Sequence, residues 1–256
     1  MKISIVFFGI TRSLSTTINS IKKNIIQPAE KFGDVSIICH FFEQQSISND
    51  RSGEFGVLDP DEYKLLNPDW VKFEKPNECL EIWGFEHIKK QGDAWHDGFK
   101  SLRNLIHQLH SLRCVTEQAI LQDAEIVLFC RPDLLYHDSF EKTIKKFTEI
   151  KSDTVGIPFW QWHGGLNDRF SICVGKNAIK SYGQRIEKIG DYLIKTKSPL
   201  HSENLLRHTL TSTGVHYRPI FLNASRVRVG GAIKKESFSY IRNMGWKQII
   251  SKNLNL

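Results

Sequence analysis

The sequence predicts an α/β fold with a mostly parallel central sheet flanked by helices. Residues 3–8 (ISIVFF), 35–42 (VSIICHFF) and 125–130 (EIVLFC) are apolar runs, a pattern typical of strands buried on both faces of a sheet. Between the first two runs, isoleucines recur at helical spacing. Strand, helix and strand within residues 1–42 form a βαβ unit, and such a unit joins parallel strands.

The rest of the chain continues to alternate helices and strands. Residues 99–122 carry an apolar stripe at helical spacing and form the clearest predicted helix. Residues 44–98 are rich in Asp, Glu, Asn, Pro and Gly, which predicts loops with one or two short helices. Further helices are expected at 139–149, 176–195 and 202–210, and further strands at 154–159, 170–174 and 216–222. No internal repeat or linker divides the 256 residues, so we expect a single domain.

The composition is that of a globular protein with a basic charge. The formal net charge is +7, which favours anionic partners such as phosphates, nucleic acids or membrane surfaces. The five cysteines include no CxxC spacing, so we expect free thiols in a reducing, cytoplasmic compartment. No segment approaches the ~20 apolar residues that a membrane span needs.

Residues 226–256 form a basic, aromatic-rich tail that we expect to be helical. Such a helix either docks on the core or lies on a membrane surface. Docking is the simpler interpretation, and peripheral contact with the inner face of a membrane through this tail stays open.

Polar residues follow the ends of predicted strands, where ligands bind in open α/β sheets. After the first strand, Gly9 allows the backbone to approach a ligand, and Thr11 and Arg12 precede a helix whose N-terminal N–H groups favour anions. Arg12 presents the forked donors that suit a diphosphate. The segment is neither a Walker A loop nor GxGxxG, so an ordinary turn with an exposed arginine is the alternative.

Arg131-Pro132-Asp133 follows the third apolar run directly. A carboxylate at this edge of the sheet is placed to hold Mg²⁺ or Mn²⁺, a hard cation that bridges nucleotide phosphates, so Asp133 is the predicted metal ligand. The alternative is a turn aspartate that caps the next helix.

The segment 160–169 (WQWHGGLNDR) has an unusual composition. Tryptophan faces stack on sugars or bases, and Asn and Asp accept hydrogen bonds from sugar hydroxyls. The alternative is a hairpin whose tryptophans fill the core. The predicted substrate-binding residues are Trp160, Trp162, His163, Asn167 and Arg169, with Asp168 as a catalytic carboxylate.

Two further candidates lie on predicted helices. Glu203 is either a catalytic carboxylate or a first-turn residue stabilised by the helix dipole. Arg113 either reaches a phosphate ligand across the sheet edge or pairs with Glu117, four residues later on the same helix.

Four motifs, in order, resemble a group of bacterial and viral glycosyltransferase-like proteins: FFGITRSLSTTINSIKKNI, FCRPDLLYHDSF, NDRFSICVGKNAI and HSENLL. The resemblance spans about residues 3–222 and implies a fold similar to the GT-A type, in which a DxD motif at a strand end holds a divalent metal. Here Arg131 stands where the first Asp of that motif is expected, and the resemblance then implies that the charge of Arg131 itself neutralises phosphate, as a cation does elsewhere. The resemblance also implies that Thr11 and Arg12 face the nucleotide and that Glu203 is a base or binds the acceptor.

The sequence therefore predicts a glycosyltransferase of polysaccharide biosynthesis that uses a nucleotide-diphosphate sugar, a glycan acceptor and a divalent metal. We expect a nucleotide-binding half (1–135), an acceptor and sugar half (136–225) and the basic tail. The phosphate-binding residues would be Gly9, Thr11, Arg12, Arg113, Arg131 and Asp133. Nucleic-acid binding is a rival suggested by the basic charge, although no nucleic-acid motif is present. A sulfotransferase using PAPS is a second rival, because Arg12-Ser13 with Ser15-Thr16-Thr17 faintly resembles a phosphosulfate loop.

Overall fold

The computed structural model describes residues 1–49, 53–162 and 164–238. The strands are β1 (Lys2–Gly9), β2 (Asp34–Phe42), β3 (Ser46–Asn49), β4 (Glu54–Val57), β5 (Trp70–Glu74), β6 (Ile126–Cys130), β7 (Leu134–Tyr136), β8 (Thr154–Pro158), β9 (Ser171–Val174), β10 (His216–Ile220) and β11 (Ala224–Arg226). The helices are α1 (Leu14–Ile21), α2 (Gln27–Glu30), α3 (Glu78–Ile82), α4 (Phe85–Lys89), α5 (Lys100–Leu121), α6 (Glu141–Thr148), α7 (Lys176–Gly183), α8 (Ile189–Thr196) and α9 (Ser202–Thr213). A π-helical turn (Lys22–Ile26) joins α1 to α2, and 3-10 turns cover Glu62–Leu66 and Arg185–Lys188.

The central sheet has seven strands in the order β10-β8-β9-β6-β1-β2-β5. Strands β5, β2, β1 and β6 are parallel neighbours, whereas β9 runs antiparallel between β6 and β8. The chain places β2 and β5 on one side of β1 and then crosses to β6 on the other side. The strand order therefore reverses between β1 and β6, which is where open α/β sheets form a ligand crevice.

Alternate residues of the parallel strands enter two apolar clusters, one on each face of the sheet. Val6 and Phe8 pack with the stripe of α5, whereas Ile5 and Phe7 pack with α1 and α6. This two-residue alternation explains why each strand is a continuous apolar run, since both faces are covered by helices. The expected α/β class, the mostly parallel sheet and the flanking helices are confirmed.

Several details differ from the sequence-based expectations. Residues 70–74 form the edge strand β5, where loops and short helices were expected, and β3 and β4 form a separate hairpin. The expected helix 176–195 is broken at Gly183 into α7, a 3-10 turn and α8. Within 226–238 the chain is not helical, so the expected helical tail is wrong there, and residues 239–256 lie outside the described part.

In the described chain, no helix combines the length and the apolar character needed to cross a membrane. All five cysteines are unpaired, as expected from their spacing.

Candidate active site

A cleft of about 810 Å³ opens at the carboxyl ends of β1, β2 and β6. Its volume falls within the ~300–1,000 Å³ typical of small-ligand sites. Gly9, Arg12, Arg131 and Asp133 all line it, so the ends of β1 and β6 meet there as the strand order requires. Gly9 has a φ of 104°, and no atom lies within 4 Å of the position that a Cβ would take, so the backbone at Gly9 is accessible to a ligand.

Arg12 and Arg131 converge on the carboxylate of Asp133. Arg12 donates from Nε and Nη2 to Oδ2 at 3.0 and 2.6 Å. Arg131 donates from Nε to Oδ1 at 2.9 Å and from Nη2 to Oδ2 at 2.8 Å. Burial alone raises the pKa of Asp133, but the charges of Arg131 and Arg12 outweigh burial and hold that pKa well below its usual range. The carboxylate thus orients two guanidinium groups at the floor of the cleft.

The same contacts do not fit a divalent cation at Asp133. Both carboxylate oxygens already accept charge-assisted hydrogen bonds, and the side chain is only 3% exposed. A cation there would displace two arginines and then lie beside their positive charges. The contacts of Asp133 are those of an anchor for Arg12 and Arg131, and they argue against the expected role of metal ligand.

Backbone N–H groups at the N-terminus of α1 already have hydrogen-bond acceptors within the chain. Ser15 N donates to Glu62 Oε1 at 2.7 Å, and the backbone N–H groups of Thr16 and Thr17 donate to Ser13 O. The helix N-terminus was expected to bind phosphate, but the carboxylate of Glu62 satisfies that end instead. The N–H groups of Ser15, Thr16 and Thr17 therefore already have acceptors within the chain.

A second acidic residue, Glu54 on β4, connects Arg12 to the C-terminal segment. Glu54 is buried, and its Oε2 accepts hydrogen bonds from Arg12 Nη1 at 3.0 Å and Arg228 Nη1 at 2.9 Å. Its Oε1 accepts from Val229 N at 3.0 Å, and Ser13 Oγ donates to Arg228 O. These bonds hold residues 226–234 along the rim of the cleft.

Asp168 and Glu203 face the cleft from the other half of the chain. Ser202 Oγ donates to Asp168 Oδ2, and Arg185 Nη2 lies 3.7 Å from the same oxygen. Burial and then the charge of Asp168 raise the pKa of Glu203 to about 8, against the opposing effects of Arg169 and Arg226. At neutral pH Glu203 is therefore mainly protonated and able to donate a hydrogen bond.

The cleft has a basic character. Among the described residues that line it, five are basic and three carry carboxyl groups: Arg12, Arg131, Arg226, Arg228 and Lys234 against Asp133, Asp168 and Glu203. The charge of Arg226, and next burial, lower the pKa of the exposed Lys234. This lowered pKa indicates that the electrostatic potential at the rim of the cleft is positive. An anionic ligand bound there would be attracted by that potential.

Two of the expected phosphate-binding residues do not line the cleft. Thr11 is buried beneath it. Arg113 pairs with Glu117 at 2.7 Å and with Glu187 at 3.0 Å, as in the helix-pair alternative, and it does not line the cleft.

The expected sugar-binding segment is mostly structural. Trp160 and Trp162 are buried, and their indole N–H groups donate to Leu222 O at 2.9 Å and Pro158 O at 2.5 Å. Asn167 donates to Trp160 O, and Arg169 covers the Trp160 ring at 4.7 Å. None of these four residues lines the cleft, so the structure does not place them where a ligand in the cleft would contact them. His163 lies outside the described residues.

Sequence reasoning missed Glu54 and the basic residues of the C-terminal segment. The pattern Arg226-Val227-Arg228 was included in the tail that was expected to be helical and to dock on the core. The available hint was this Arg-x-Arg pair shortly after the late strand 216–222, since alternate residues of an extended segment share one face.

No protein-family model and no curated protein sequence matches this chain. Among solved structures, it is similar to mouse xyloside xylosyltransferase 1 in its apo form, with a TM-score of 0.43 and 10% identity over 86% of this chain and 85% of that one. It is also similar to galactosyltransferase LgtC with donor and acceptor sugar analogues (TM-score 0.44, 11% identity, 84% of this chain and 72% of that one). An active-site mutant of LgtC gives a TM-score of 0.44 at 14% identity, with the same coverage. All three are glycosyltransferases, but TM-scores below 0.5 at such identities do not by themselves assign a function to this chain.

Proposed function

We propose that this protein is a glycosyltransferase whose cleft binds a nucleotide-diphosphate sugar and transfers the sugar to a hydroxyl group of a glycan acceptor. The observation that carries the proposal is the meeting of Arg12 and Arg131 at the reversal of strand order, on the floor of a basic cleft. Two guanidinium groups held in fixed orientation suit the oxygens of a diphosphate.

The departing nucleoside diphosphate gains negative charge as the sugar bond breaks. Donors that are already oriented stabilise this charge without reorganising during the reaction. Asp133 supplies that orientation to Arg12 and Arg131, and Arg228 and Lys234 extend the positive surface to the rim. We propose that these side chains replace a divalent cation in this role.

The acceptor hydroxyl must lose a proton if transfer proceeds by direct displacement. Asp168 is our candidate for the base, because it lines the cleft and has an oxygen, Oδ1, outside its contact with Ser202. Glu203 is protonated near neutral pH, so its role is to donate a hydrogen bond to a sugar hydroxyl rather than to accept the proton.

The test is a thermal-shift and calorimetric panel on the full chain. The ligands are UDP-, GDP- and CMP-sugars and PAPS, each with Mn²⁺ and with EDTA, and a salt titration with RNA and DNA follows. We expect a nucleotide-diphosphate sugar to bind equally well in both metal conditions and to be hydrolysed slowly without acceptor. Binding of PAPS alone, or only salt-sensitive binding of nucleic acid, would contradict the proposal.

A matched pair of lysines tests whether the ligand lies in this cleft. Lys234 lines the cleft, whereas its neighbour Lys235 does not, and both are exposed. We expect Lys234→Gln to raise the Kd for the donor about three- to tenfold and Lys235→Gln to leave it unchanged, with equal Tm for both variants. Equal effects of the two substitutions would place the ligand elsewhere.

A further inference from the structure

Four side chains with metal-binding atoms meet behind the cleft, and none of them lines it. His40 lies near the end of β2, Glu74 ends the neighbouring strand β5, and His110 and Cys114 lie four residues apart on one face of α5. One ligand atom of each residue lies within 4.8 Å of those of the other three. Their convergence joins two strands and a helix that are distant in sequence.

The ring of His40 is fully buried, and Nε2 makes no hydrogen bond. Ser111 Oγ donates its hydrogen to His40 O at 2.7 Å and accepts a hydrogen bond from Gly9 N at 2.8 Å. Because the hydroxyl hydrogen is already used, Ser111 Oγ can only accept a hydrogen bond from His40 Nδ1, which lies 3.0 Å away. Nδ1 therefore carries the proton of the neutral ring, and the lone pair of Nε2 is directed at Glu74. A metal-binding histidine has this arrangement, with its other nitrogen donating to an oxygen.

Two of the separations match those around a small tetrahedral ion. Zinc bonds of about 2.0–2.3 Å place neighbouring ligand atoms roughly 3.3–3.7 Å apart. His40 Nε2 lies 3.4 Å from Glu74 Oε2, and Cys114 Sγ lies 3.6 Å from His110 Nε2. The remaining close pair, His110 Nε2 and Glu74 Oε2 at 2.6 Å, is a hydrogen bond whose proton an ion would replace.

We propose that His40, Glu74, His110 and Cys114 form a structural Zn²⁺ site. Nitrogen and thiolate ligands favour zinc over magnesium or calcium, and four protein ligands leave no open position for catalysis. The carboxylate and the thiolate balance the charge of the ion, while Lys72 Nζ holds Glu74 Oε1 at 2.5 Å. The site does not depend on the proposed transferase function.

Binding requires two proton movements. The Cys114 thiol releases its proton to solvent, because the thiolate is the ligand. His110 moves its proton from Nε2 to Nδ1, and this costs the hydrogen bond that Trp83 Nε1 now donates to Nδ1 at 3.0 Å. Trp83 is therefore both a competitor of the ion and a fluorescent reporter of its binding.

The test uses the full chain, stripped with a chelator and titrated with Zn²⁺ or Co²⁺. We expect one Zn²⁺ per chain by atomic emission, a higher Tm, and visible and near-ultraviolet cobalt bands typical of tetrahedral thiolate coordination. Wild-type protein that shows neither stoichiometric zinc nor these bands would overturn the proposal and leave a hydrogen-bonded polar cluster.

Matched variants locate the ion. Cys114→Ser should lose the sulfur-to-cobalt band and bind Zn²⁺ at least about tenfold more weakly. Cys79→Ser alters a buried cysteine outside the four-residue cluster and should behave as wild type. Trp83→Phe should bind Zn²⁺ more tightly, since the competing donor is gone. Loss of the band in Cys79→Ser but not in Cys114→Ser, or weaker binding by Trp83→Phe, would contradict the assigned ligands.

Discussion

The strand-end residues Arg12, Arg131 and Asp133 and the segment 160–169 both have the composition of a binding site, yet only the first forms the floor of a cleft. The strand-end residues are placed by the parallel sheet, whose carboxyl ends share one edge. In the other segment, Trp160 and Trp162 turn inward, and among its described residues only Asp168 lines the cleft. Position relative to the sheet is thus a better guide to which residues line the cleft than aromatic and polar composition.

The largest expected effect comes from Trp160→Ala. We expect the free energy of unfolding to fall by about 3–5 kcal/mol, because a fully buried indole is removed and Leu222 O loses its donor. Urea denaturation measures this loss. Trp95→Ala is the control, since Trp95 is half-buried on the cleft and stacks on His201. Weaker donor binding at unchanged stability in Trp160→Ala would restore a substrate role for Trp160.

A smaller loss is expected for Asp133→Asn. Removing the carboxylate leaves Arg12 and Arg131 side by side without their shared partner, which should cost about 3 kcal/mol. Arg113→Gln, which breaks two partly exposed ion pairs, should cost less than about 1 kcal/mol. Denaturation at neutral pH compares the two variants. An unchanged stability of Asp133→Asn together with lost Mn²⁺ binding would return Asp133 to the metal role.

A separate expected effect is the pH dependence of stability due to Glu203. Its folded-state pKa of about 8 lies above the ordinary 4.5, so the native state keeps a proton that the unfolded chain releases. Its contribution to stability is complete below pH 4.5 and is lost as the pH rises toward about 8. Urea midpoints should therefore fall across this range in wild type and fall less in Glu203→Gln. Parallel profiles for the two proteins would show that Glu203 is ionised in the native state.

Much of the fold follows from local patterns in the sequence. The apolar runs that became β1, β2 and β6 are long enough to mark strands covered on both faces, and the stripe of α5 marks its buried side. Strand β5 was missed because an edge strand is covered less completely, so residues 70–74 do not form a continuous apolar run. The positions of Gly9, Arg12, Arg131 and Asp133 at one edge of the sheet also followed from the sequence, because these residues come directly after apolar runs that form parallel strands.

The sequence by itself determined which strand ends face the cleft, because the side-chain direction and the parallel order of βαβ units are local properties. Only the tertiary structure decided the partners. Both oxygens of Asp133 accept hydrogen bonds from Arg12 and Arg131. Glu54 binds Arg12 and Arg228, and His40 lies beside Glu74, His110 and Cys114. These contacts link residues far apart in the chain, and their geometry depends on how helices and loops pack on the sheet, which no local pattern encodes.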